Sequence, residues 1–480
     1  MSFLPSASPE SMGVRSGDIA RFVERLSQNE PFQDPHALIL VRHGHVLAEG
    51  YFAPFDQSSR HSLFSVSKSF VSTAVGFAVQ EGLIALDERI ADAFPEYLPE
   101  TPAPEFRMLT VRHLLMMATG QEGVGVHMTL SGVDCGIPEA FFRAPFLDAP
   151  GTTFRYSSAV TYMLSRLILK RAGVDVVAYL TPRLFDPLGI ERPYTRRCPE
   201  GVPLGYTGMR LSARDIALYG EFYLKRGMWN GKQLLDPAWI DLATQKHVDT
   251  HSSTGDEWSQ GYCFQFWRGS HNTYRFCGAN GQMCICMPDL DALCVVQSGY
   301  DYRVLQYVVD SFYETIYSGM RDEPYPEDEP ARKRLNTLLD GLMLPVLSGN
   351  FSPLCGFVNG VSYTSDAGAL TLQFTGGAGV LTYTIVGKPY TLAFGLLRPM
   401  RAPSTLCERY ALEPQPDDPA DAFGYWETLR TLCITARIIP TPTVLTLSLT
   451  FTGEQVRMEL RTYRGTCDAG TFFTGIRAEV

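Results

Sequence analysis

Lysine is scarce in this chain: 7 of its 480 residues are lysine, whereas 34 are arginine. The 51 acidic residues outnumber the 41 basic ones, and the net charge of −10 argues against nucleic acid or an anionic membrane surface as a partner. No stretch reaches about 18 consecutive apolar residues, so no transmembrane helix is predicted. The stretch MSFLPSASPESMGVRSGD lacks a basic cluster followed by an apolar core, so we predict no secretory signal and expect a cytosolic protein.

The sequence has 11 cysteines, an odd number, and their scattered positions include no zinc-ribbon spacing. We interpret them as buried free thiols in a reducing compartment. His43 and His45 flank the turn of a predicted hairpin, where histidines usually serve as polar turn residues. We therefore expect no metal ion and no organic cofactor.

The chain is longer than one ordinary hydrophobic core, and its patterns change near residue 321. Before that point, residues 37–52 alternate around Gly44 and predict a β-hairpin. Helical patterns follow over 65–80, 110–118, 158–172, 212–226 and 237–247, and strand-like runs over 260–267, 273–277, 282–287 and 292–298. Strands at both ends with helices between them favour an α+β domain whose sheet joins the beginning of the chain to its later part.

From residue 321, RDEPYPEDEPARKR is rich in proline and charge and is typical of an exposed connection. A short helical pattern at 332–343 follows, and strand signals dominate beyond it. We therefore predict a first domain over 1–325, a linker with a short helix over 326–343, and an all-β domain, a sandwich or barrel-like sheet, over 344–480.

One of the few lysines stands in the run HSLFSVSKSF, three residues after Ser65. Residues three apart share a helix face, so the ammonium of Lys68 can reach the hydroxyl of Ser65. A serine hydroxyl is a poor nucleophile until a base removes its proton, and a lysine buried in an apolar helix is a candidate for that base. The alternative is a surface lysine whose stem packs along the helix, which fits poorly beside Phe64, Phe70 and Val71.

A second feature is the stretch GTTFRYSSAVTYML, in which Tyr156 and Ser158 precede an apolar helix. A tyrosine close to a lysine ammonium ionises more easily and could relay protons between a nucleophile and a leaving group. Taken alone, the stretch fits an ordinary helix start with a serine cap better.

The third feature is YRFCGANGQMCICMPD, where Gly278 and Gly281 interrupt a strand pattern. Glycine within a strand often marks the close approach of another backbone or a ligand. A backbone N–H at this point could face an oxyanion opposite the N–H of Ser65. A simple β-bulge is the alternative, and it is the better one when the stretch is taken alone.

In their order and rough spacing, the three features resemble those of the serine β-lactamase and penicillin-binding-protein superfamily. Within it, the chain is similar to the class C-like branch of family VIII esterases, D-aminopeptidases and 6-aminohexanoate-dimer hydrolases. The resemblance spans about residues 8–318 and includes the blocks LTVRHLLMMATG, PGTTFRYSSAVTYMLSRLI, GMRLSARDIALYGEFYLKRGMWNGKQLL and GANGQMCICMPDLDALCVVQSG. It implies an antiparallel sheet flanked by helices, a helical lobe with the site between the two, and an all-β accessory domain of the kind some members carry.

Carried over to this sequence, the resemblance makes Ser65 the acylated nucleophile, Lys68 its partner and Tyr156 the general base and acid. Gly278 closes the third motif. The backbone N–H of Ala279 then becomes the second oxyanion donor, together with that of Ser65.

Two positions depart from the β-lactamase pattern. Ser158 stands where asparagine is usual, and serine there resembles the aminohexanoate-dimer hydrolases. Phe276-Cys277-Gly278 stands where Lys-Thr-Gly or His-x-Gly is expected, so the cation that helps to hold the carboxylate of β-lactams and D-Ala-D-Ala peptides is missing. The resemblance therefore favours esters or amides without such a carboxylate.

The sequence thus predicts a serine hydrolase that cleaves a carboxylic ester, an amide or a short peptide through an acyl-enzyme, with small molecules as partners and the oligomeric state left open. The alternatives are a D-amino-acid peptidase or β-lactamase, and a non-catalytic binding or sensor module on the same fold. Intact Ser65, Lys68 and Tyr156 argue against the binding module, because such a module has no need of all three.

Overall fold

The computed structural model describes residues 3–26, 28, 34–123, 136–345, 349–410, 415, 418–463 and 471–478. Its strands form a six-stranded antiparallel sheet, here called sheet A, two short ribbons and a C-terminal barrel. The strands before the barrel are β1 (Pro35–Arg42), β2 (His45–Tyr51), β3 (His61–Ser62), β4 (Arg210–Leu211), β5 (Met228–Trp229), β6 (Lys232–Gln233), β7 (Trp267–Arg268), β8 (Tyr274–Gly278), β9 (Gln282–Met287) and β10 (Ala292–Ser298).

Helices cover both faces of sheet A and form a lobe beside it, which confirms the predicted α+β class. The helices before the barrel are α1 (Ser16–Arg25), α2 (Ser67–Gln80), α3 (Ile90–Ala93), α4 (Val111–Leu115), α5 (Ile137–Arg143), α6 (Ser158–Ala172), α7 (Val176–Leu180), α8 (Asp186–Leu188), α9 (Ala213–Leu224), α10 (Pro237–Thr244), α11 (Leu305–Thr315) and α12 (Glu329–Asp340).

Sheet A has the order β2-β1-β10-β9-β8-β7, so it joins the beginning of the chain to its later part, as predicted. Successive residues of a strand point to opposite faces. Ile39 and Val41 of β1 belong to the hydrophobic cluster built with α2, α6 and α9, whereas Leu38 and Leu40 belong to the cluster built with α1 and α11. The sheet therefore has a hydrophobic core on each side.

Helix α2 lies in the middle of the domain because its sequence is apolar nearly all round. Every residue from Ser67 to Ala78 is buried. A short 3-10 turn, Phe64–Val66, precedes the α-helix, so the regular helix begins two residues later than the sequence pattern predicts.

The predicted strand over 260–267 is wrong for most of its length. Only its last residue belongs to β7, because Gln265 adopts a left-handed backbone with φ of 66° and turns the chain away from an extended path. By contrast, α6 and β10 have the bounds that the sequence patterns predict.

Helix α12 packs on α1 and β2. It lies in the segment where the sequence indicates a linker and a short helix. The side chains of Leu339 and Leu342 come within 2.8 and 2.7 Å of the position that a Cβ would take on Gly50. Arg334 pairs with Glu24 of α1 at 2.6 Å. This segment is therefore part of the body of the molecule that contains sheet A.

The C-terminal strands form a closed meander in which parallel pairing of β14 with β16 completes the ring. Of the two predicted alternatives, the structure shows the barrel. Its elements are α13 (Leu354–Val358), β11 (Ser362–Ser365), β12 (Gly368–Thr375), β13 (Ala378–Ile385), β14 (Lys388–Leu396), β15 (Met400–Pro403), α14 (Thr405–Tyr410), β16 (Pro419–Trp426), β17 (Thr431–Ile438), β18 (Val444–Thr452), β19 (Gln455–Tyr463) and β20 (Thr471–Arg477).

Alternation along the strands fills the barrel with apolar side chains. In β18, Leu445, Leu447 and Leu449 point inward and are at most 1% exposed, whereas Thr446 and Ser448 between them are exposed. The interior cluster is thus a packed core of the kind that small barrels have.

Eight cysteines are free thiols and buried, as predicted: Cys198, Cys263, Cys277, Cys284, Cys286, Cys294, Cys355 and Cys433. Cys135 and Cys467 lie outside the described residues, and the side chain of Cys407 is not described either. No helix in the described part of the chain has both the length and the apolar character needed to cross a membrane.

A buried polar cluster joins the barrel to sheet A. Arg437 of β17 donates a hydrogen bond to Asp34 at 2.6 Å, and His36 lies 3.1 Å from the other oxygen of that carboxylate. The His36 ring stacks on His61 with centroids 4.8 Å apart. Burial lowers the pKa of both histidines, Asp34 opposes this, and Arg210 lowers the pKa of His61 further. Both rings are therefore neutral at neutral pH.

We predict that the free energy of unfolding falls when the pH is lowered from about 7.5 to about 5.5. The unfolded chain takes up a proton at each histidine below its ordinary pKa of about 6.5, whereas the folded chain takes one up only at lower pH, so stability rises with pH in this window by up to about 1.4 kcal/mol per pH unit for each histidine. Urea unfolding across the pH range measures this slope.

The substitution His61→Phe should flatten the slope, because Nε2 of His61 has no hydrogen-bond partner among the described residues and phenylalanine can keep the ring stack. His251→Phe, at an exposed histidine outside this cluster, is the matched control and should leave the slope unchanged. An identical pH slope in the His61→Phe and wild-type proteins would contradict the prediction.

Candidate active site

Ser65 lies in the 3-10 turn Phe64–Val66 that leads into α2, and it is partly exposed. The backbone of Phe64 has φ of 44°, a left-handed conformation that costs a bulky residue about 1–3 kcal/mol. Hydrogen bonds hold this conformation: the Leu63 N–H donates to the Met209 carbonyl at 2.8 Å, and the Val66 N–H donates to the Leu63 carbonyl at 3.1 Å. The turn therefore presents Ser65 at the start of a buried helix.

Lys68 lies one turn further along and is buried, with 1% of its surface exposed. Its Nζ donates hydrogen bonds to Oγ of Ser65 at 3.0 Å and to the carbonyl of Tyr206 at 2.9 Å. The same nitrogen lies 5.0 Å from the ring centroid of Tyr156 and 5.5 Å from that of Tyr206. The spacing of Ser65 and Lys68 thus brings the two side chains together, as the sequence predicts.

Tyr156 precedes α6, and its phenol is hydrogen-bonded to the side chain of Ser65. Burial raises the pKa of Tyr156 and outweighs the opposing effect of this hydrogen bond. The expectation of an easily ionised tyrosine is therefore wrong for this state of the site, in which the phenol keeps its proton at neutral pH. Ser65, Lys68 and Tyr156 nevertheless meet at one point.

An aromatic wall, formed by Phe154, Tyr156, Tyr262 and Trp267, adjoins this point. The ring of Trp267 stacks on Tyr156 with centroids 5.8 Å apart and planes 20° apart. Phe154 and Tyr262 complete the wall at 5.7 and 5.1 Å from Trp267. The sequence reading missed Trp267 because the incorrect strand over 260–267 assigned it to a regular sheet.

Gly278, at the end of β8, lies against the backbone that carries Ser65. A Cβ at this position would stand 2.3 Å from the carbonyl oxygen of Leu63 and 3.3 Å from the backbone nitrogen of Ser65. A contact of 2.3 Å with a backbone atom is impossible for a real side chain, so only glycine allows this approach. The interpretation of this glycine as a point of close backbone approach is confirmed, and the β-bulge is not needed.

Ala279 follows directly and begins a tight turn before β9. The next residue, Asn280, has a left-handed φ of 59°, and its carbonyl accepts hydrogen bonds from the Tyr300 N–H at 3.0 Å and from the Ser298 hydroxyl at 2.7 Å. The turn is thus fixed to the end of β10. This anchoring fixes the backbone at Ala279 beside the turn that carries Ser65.

The other two residues of the third motif do not replace the missing cation. Phe276 is fully buried and packs on Tyr219 and Tyr223 at 4.7 and 5.7 Å between ring centroids. Cys277 points to the opposite face of β8, and burial raises the pKa of its thiol. This part of the site is therefore neutral.

Ser158, the remaining predicted site residue, is the first residue of α6 and is buried with 8% exposure. Its position follows Tyr156 by two residues, so the cap of α6 and the phenol belong to one rigid segment.

A glutamine that the sequence analysis did not single out ties the surrounding helices together. The carbonyl of Gln265 accepts a hydrogen bond from Ser69 of α2 at 2.9 Å, and its side-chain oxygen accepts one from Thr161 of α6 at 2.6 Å. Its amide donates to the carbonyls of Leu114 and Leu115 of α4 at 3.1 and 2.9 Å. This network connects α2, which carries Lys68, with α6, which follows Tyr156. A buried glutamine in an apolar run, GYCFQFW, was the available signal.

Tyr206 was missed as well. It contributes its backbone carbonyl, which no pattern of side chains reveals. Its flanking glycines, Gly205 and Gly208, both have left-handed φ, at 72° and 82°, and mark the unusual path of this segment.

The predicted polar turn at His43 and His45 is present. His43 Nδ1 lies 3.1 Å from Asp291, and His45 Nδ1 lies 2.9 Å from the carbonyl of His43. Within the described ranges, no group of three or more histidine, cysteine, aspartate or glutamate side chains is placed to hold a metal ion.

The sequence that builds this site matches a known family. The Beta-lactamase family profile matches residues 36–303, more than half of the chain, and the chain therefore belongs to the beta-lactamase family. All elements of sheet A except the first residue of β1 lie within this range.

Individual relatives agree with this assignment. The 6-aminohexanoate-dimer hydrolase of Paenarthrobacter ureafaciens is 27% identical over 293 residues, which cover 57% of this chain and 72% of that protein. EstCE1, a hydrolase with promiscuous acyltransferase activity, has a similar fold with a TM-score of 0.51 and 20% identity, over 62% of this chain and 99% of its own. The crystal structure of SurE aligns over 96% of this chain and 99% of its own, with a TM-score of 0.50 and 17% identity. The curated relative is thus named as a hydrolase, and the two solved structures share the fold of this chain.

We predict that Gly278→Val abolishes hydrolase activity. The valine side chain would clash with the Leu63 carbonyl and move the turn that carries Ser65, and loss of one oxyanion donor alone costs about 10²–10³-fold in kcat. Gly356→Ala is the matched control, because a Cβ there meets no atom within 4 Å. Full activity in a folded Gly278→Val protein would show that the close approach is not needed.

Proposed function

We propose that this protein is a serine hydrolase that cleaves a carboxylic ester or amide through an acyl-enzyme intermediate. The observation that carries the proposal is the single point at which Oγ of Ser65 meets Nζ of Lys68, at 3.0 Å, and the phenol of Tyr156. A nucleophile within hydrogen-bonding reach of two groups that can exchange its proton is the arrangement that nucleophilic catalysis requires.

In the first step, Oγ of Ser65 attacks the substrate carbonyl while its proton passes to Nζ of Lys68, which acts as the base in its neutral form. The oxyanion that forms is held by the backbone N–H groups of Ser65 and Ala279. Tyr156 then gives its phenol proton to the leaving alcohol or amine and regains a proton from Lys68, and the acyl group stays on Ser65. Water attacks this ester by the reverse proton path and releases the acid, so that one water is consumed for each bond cleaved.

The walls of the site favour substrates without a carboxylate beside the cleaved bond. Phe276 and Cys277 leave this side of the site neutral, and the aromatic wall offers an apolar surface to an acyl group. The names of the similar proteins, a hydrolase of a 6-aminohexanoate dimer and a hydrolase with acyltransferase activity, support an amide or an ester as the substrate.

The proposal places the hydrolase domain in residues 1–325, a linker with a short helix in 326–343 and an accessory barrel domain in 344–480. It also includes a cytosolic location, which the eight free, buried thiols support.

A fluorophosphonate probe should label Ser65 in the wild-type protein, as peptide mapping can show. The protein should also hydrolyse p-nitrophenyl esters, and Ser65→Ala should lower kcat by about 10³–10⁶-fold. Ester turnover that persists in Ser65→Ala with Ser65 unlabelled in the wild type would refute the assignment of the nucleophile.

Lys68→Met should remove both labelling and turnover, because methionine fills the space of the lysine stem but cannot exchange a proton with Ser65. Lys170→Met is the matched control, because Lys170 is an exposed residue of α6 that pairs with Glu96. If Lys68→Met and Lys170→Met were equally active, Lys68 would have no part in the reaction.

Nitrocefin should be hydrolysed far more slowly than simple esters, with kcat/KM lower by about 10²-fold or more, because the buried Phe276 stands where a cation for its carboxylate is expected. Measuring both substrates on one preparation gives the ratio. Equal values would favour the β-lactamase alternative.

A further inference from the structure

The short ribbon of β3 and β4 is connected at one of its ends to two parts of the site. His61 pairs with Leu211 and Ser62 pairs with Arg210. Strand β3 runs directly into the turn of Ser65. Strand β4 follows the segment whose carbonyl, at Tyr206, accepts the hydrogen bond from Lys68. A shift of this ribbon would therefore move the nucleophile and the anchor of its lysine together.

The barrel contacts this ribbon through the turn between β17 and β18. The carbonyl of Pro440 accepts a hydrogen bond from the Ser62 N–H at 2.8 Å. Ile439 beside it is 4% exposed and belongs to the hydrophobic cluster of α1 and α11 on sheet A. The turn thus acts as a third strand on the free edge of β3.

A second contact reaches the other strand of the ribbon. Arg210 forms two hydrogen bonds to Asp418 at the start of β16, at 2.6 and 2.9 Å, with side chains 9% and 5% exposed. The backbone N–H of Gln415 donates to the same carboxylate at 2.8 Å. Two parallel hydrogen bonds of this kind fix the relative orientation of the two side chains as well as the distance between them.

We propose that the barrel is a positioning element of the hydrolase site, in which Pro440 and Asp418 hold the β3–β4 ribbon and thereby set the backbone of Ser65 and the carbonyl of Tyr206. The proposal rests on the proposed function. Asp418 acts here as a positioning residue, because it contacts neither Ser65 nor Lys68.

The test compares Asp418→Asn with the wild type in the full-length protein. We expect kcat for a p-nitrophenyl ester and the rate of fluorophosphonate labelling to fall together by about tenfold to hundredfold, with KM changed by less than about twofold, since displacements of about 1 Å at a reacting group have effects of this size. Hydrogen–deuterium exchange in the peptide covering residues 61–67 should rise at the same time.

Glu459→Gln is the matched control. It removes the carboxylate that pairs with Arg461 on the barrel surface, away from the ribbon, and should change neither kcat nor exchange in 61–67. The double variant Arg210→Gln with Asp418→Asn replaces the buried ion pair by two neutral amides and should regain part of the lost activity, because no unpaired charge remains.

If Asp418→Asn fails to fold, Arg210→Lys provides the same two measurements, because lysine keeps the charge but not the two parallel hydrogen bonds. Unchanged kcat and unchanged exchange in 61–67, with only a lower melting temperature, would overturn the proposal and leave the barrel a structural attachment. A wild-type protein without turnover or labelling would defeat the proposed function instead, and exchange in 61–67 would still decide whether the barrel holds the ribbon.

Discussion

The candidate site is organised around one buried lysine nitrogen. A charged or hydrogen-bonding nitrogen with 1% exposure must have its bonds satisfied by the protein, because no bulk water reaches it. Lys68 finds an acceptor in Ser65 and another in the carbonyl of Tyr206. These two acceptors belong to segments far apart in sequence, so the fold must bring them to either side of one side chain and keep them there.

Close backbone packing provides that rigidity. The carbonyl of Leu63 lies where Gly278 has no side chain, and the strained φ of Phe64 fits the chain between these neighbours. A strained backbone conformation of this kind persists only when several surrounding contacts hold it in place. The hydrogen bond from the Leu63 N–H to the Met209 carbonyl and the Gln265 network provide such surroundings, and they hold the turn that carries Ser65 in place.

The sequence predicted the parts of the site that depend on short-range geometry. Ser65 and Lys68 meet because residues three apart share a helix face. Gly278 lies close to another backbone segment, and glycine inside a strand often marks such a contact. Tyr156 could be joined to them only through the family resemblance. Gln265 and Tyr206 were missed for a physical reason: one acts through a left-handed backbone inside an apolar run, and the other through a carbonyl that every residue possesses. The protonated phenol was also missed, since the burial that raises its pKa arises only when the aromatic wall assembles.

The barrel could be predicted as an all-β domain, whereas its relation to the site could not. Its alternating strands determine a closed interior, and this interior is already filled by its own side chains. What the barrel offers the rest of the chain must therefore come from its turns and its outer surface. The carbonyl of Pro440 accepts a hydrogen bond from the backbone N–H of Ser62 in β3, and the Asp418 carboxylate forms a buried ion pair with Arg210. Because a buried backbone N–H and a buried charge both need partners, these two contacts tie the ribbon beneath Ser65 to the barrel.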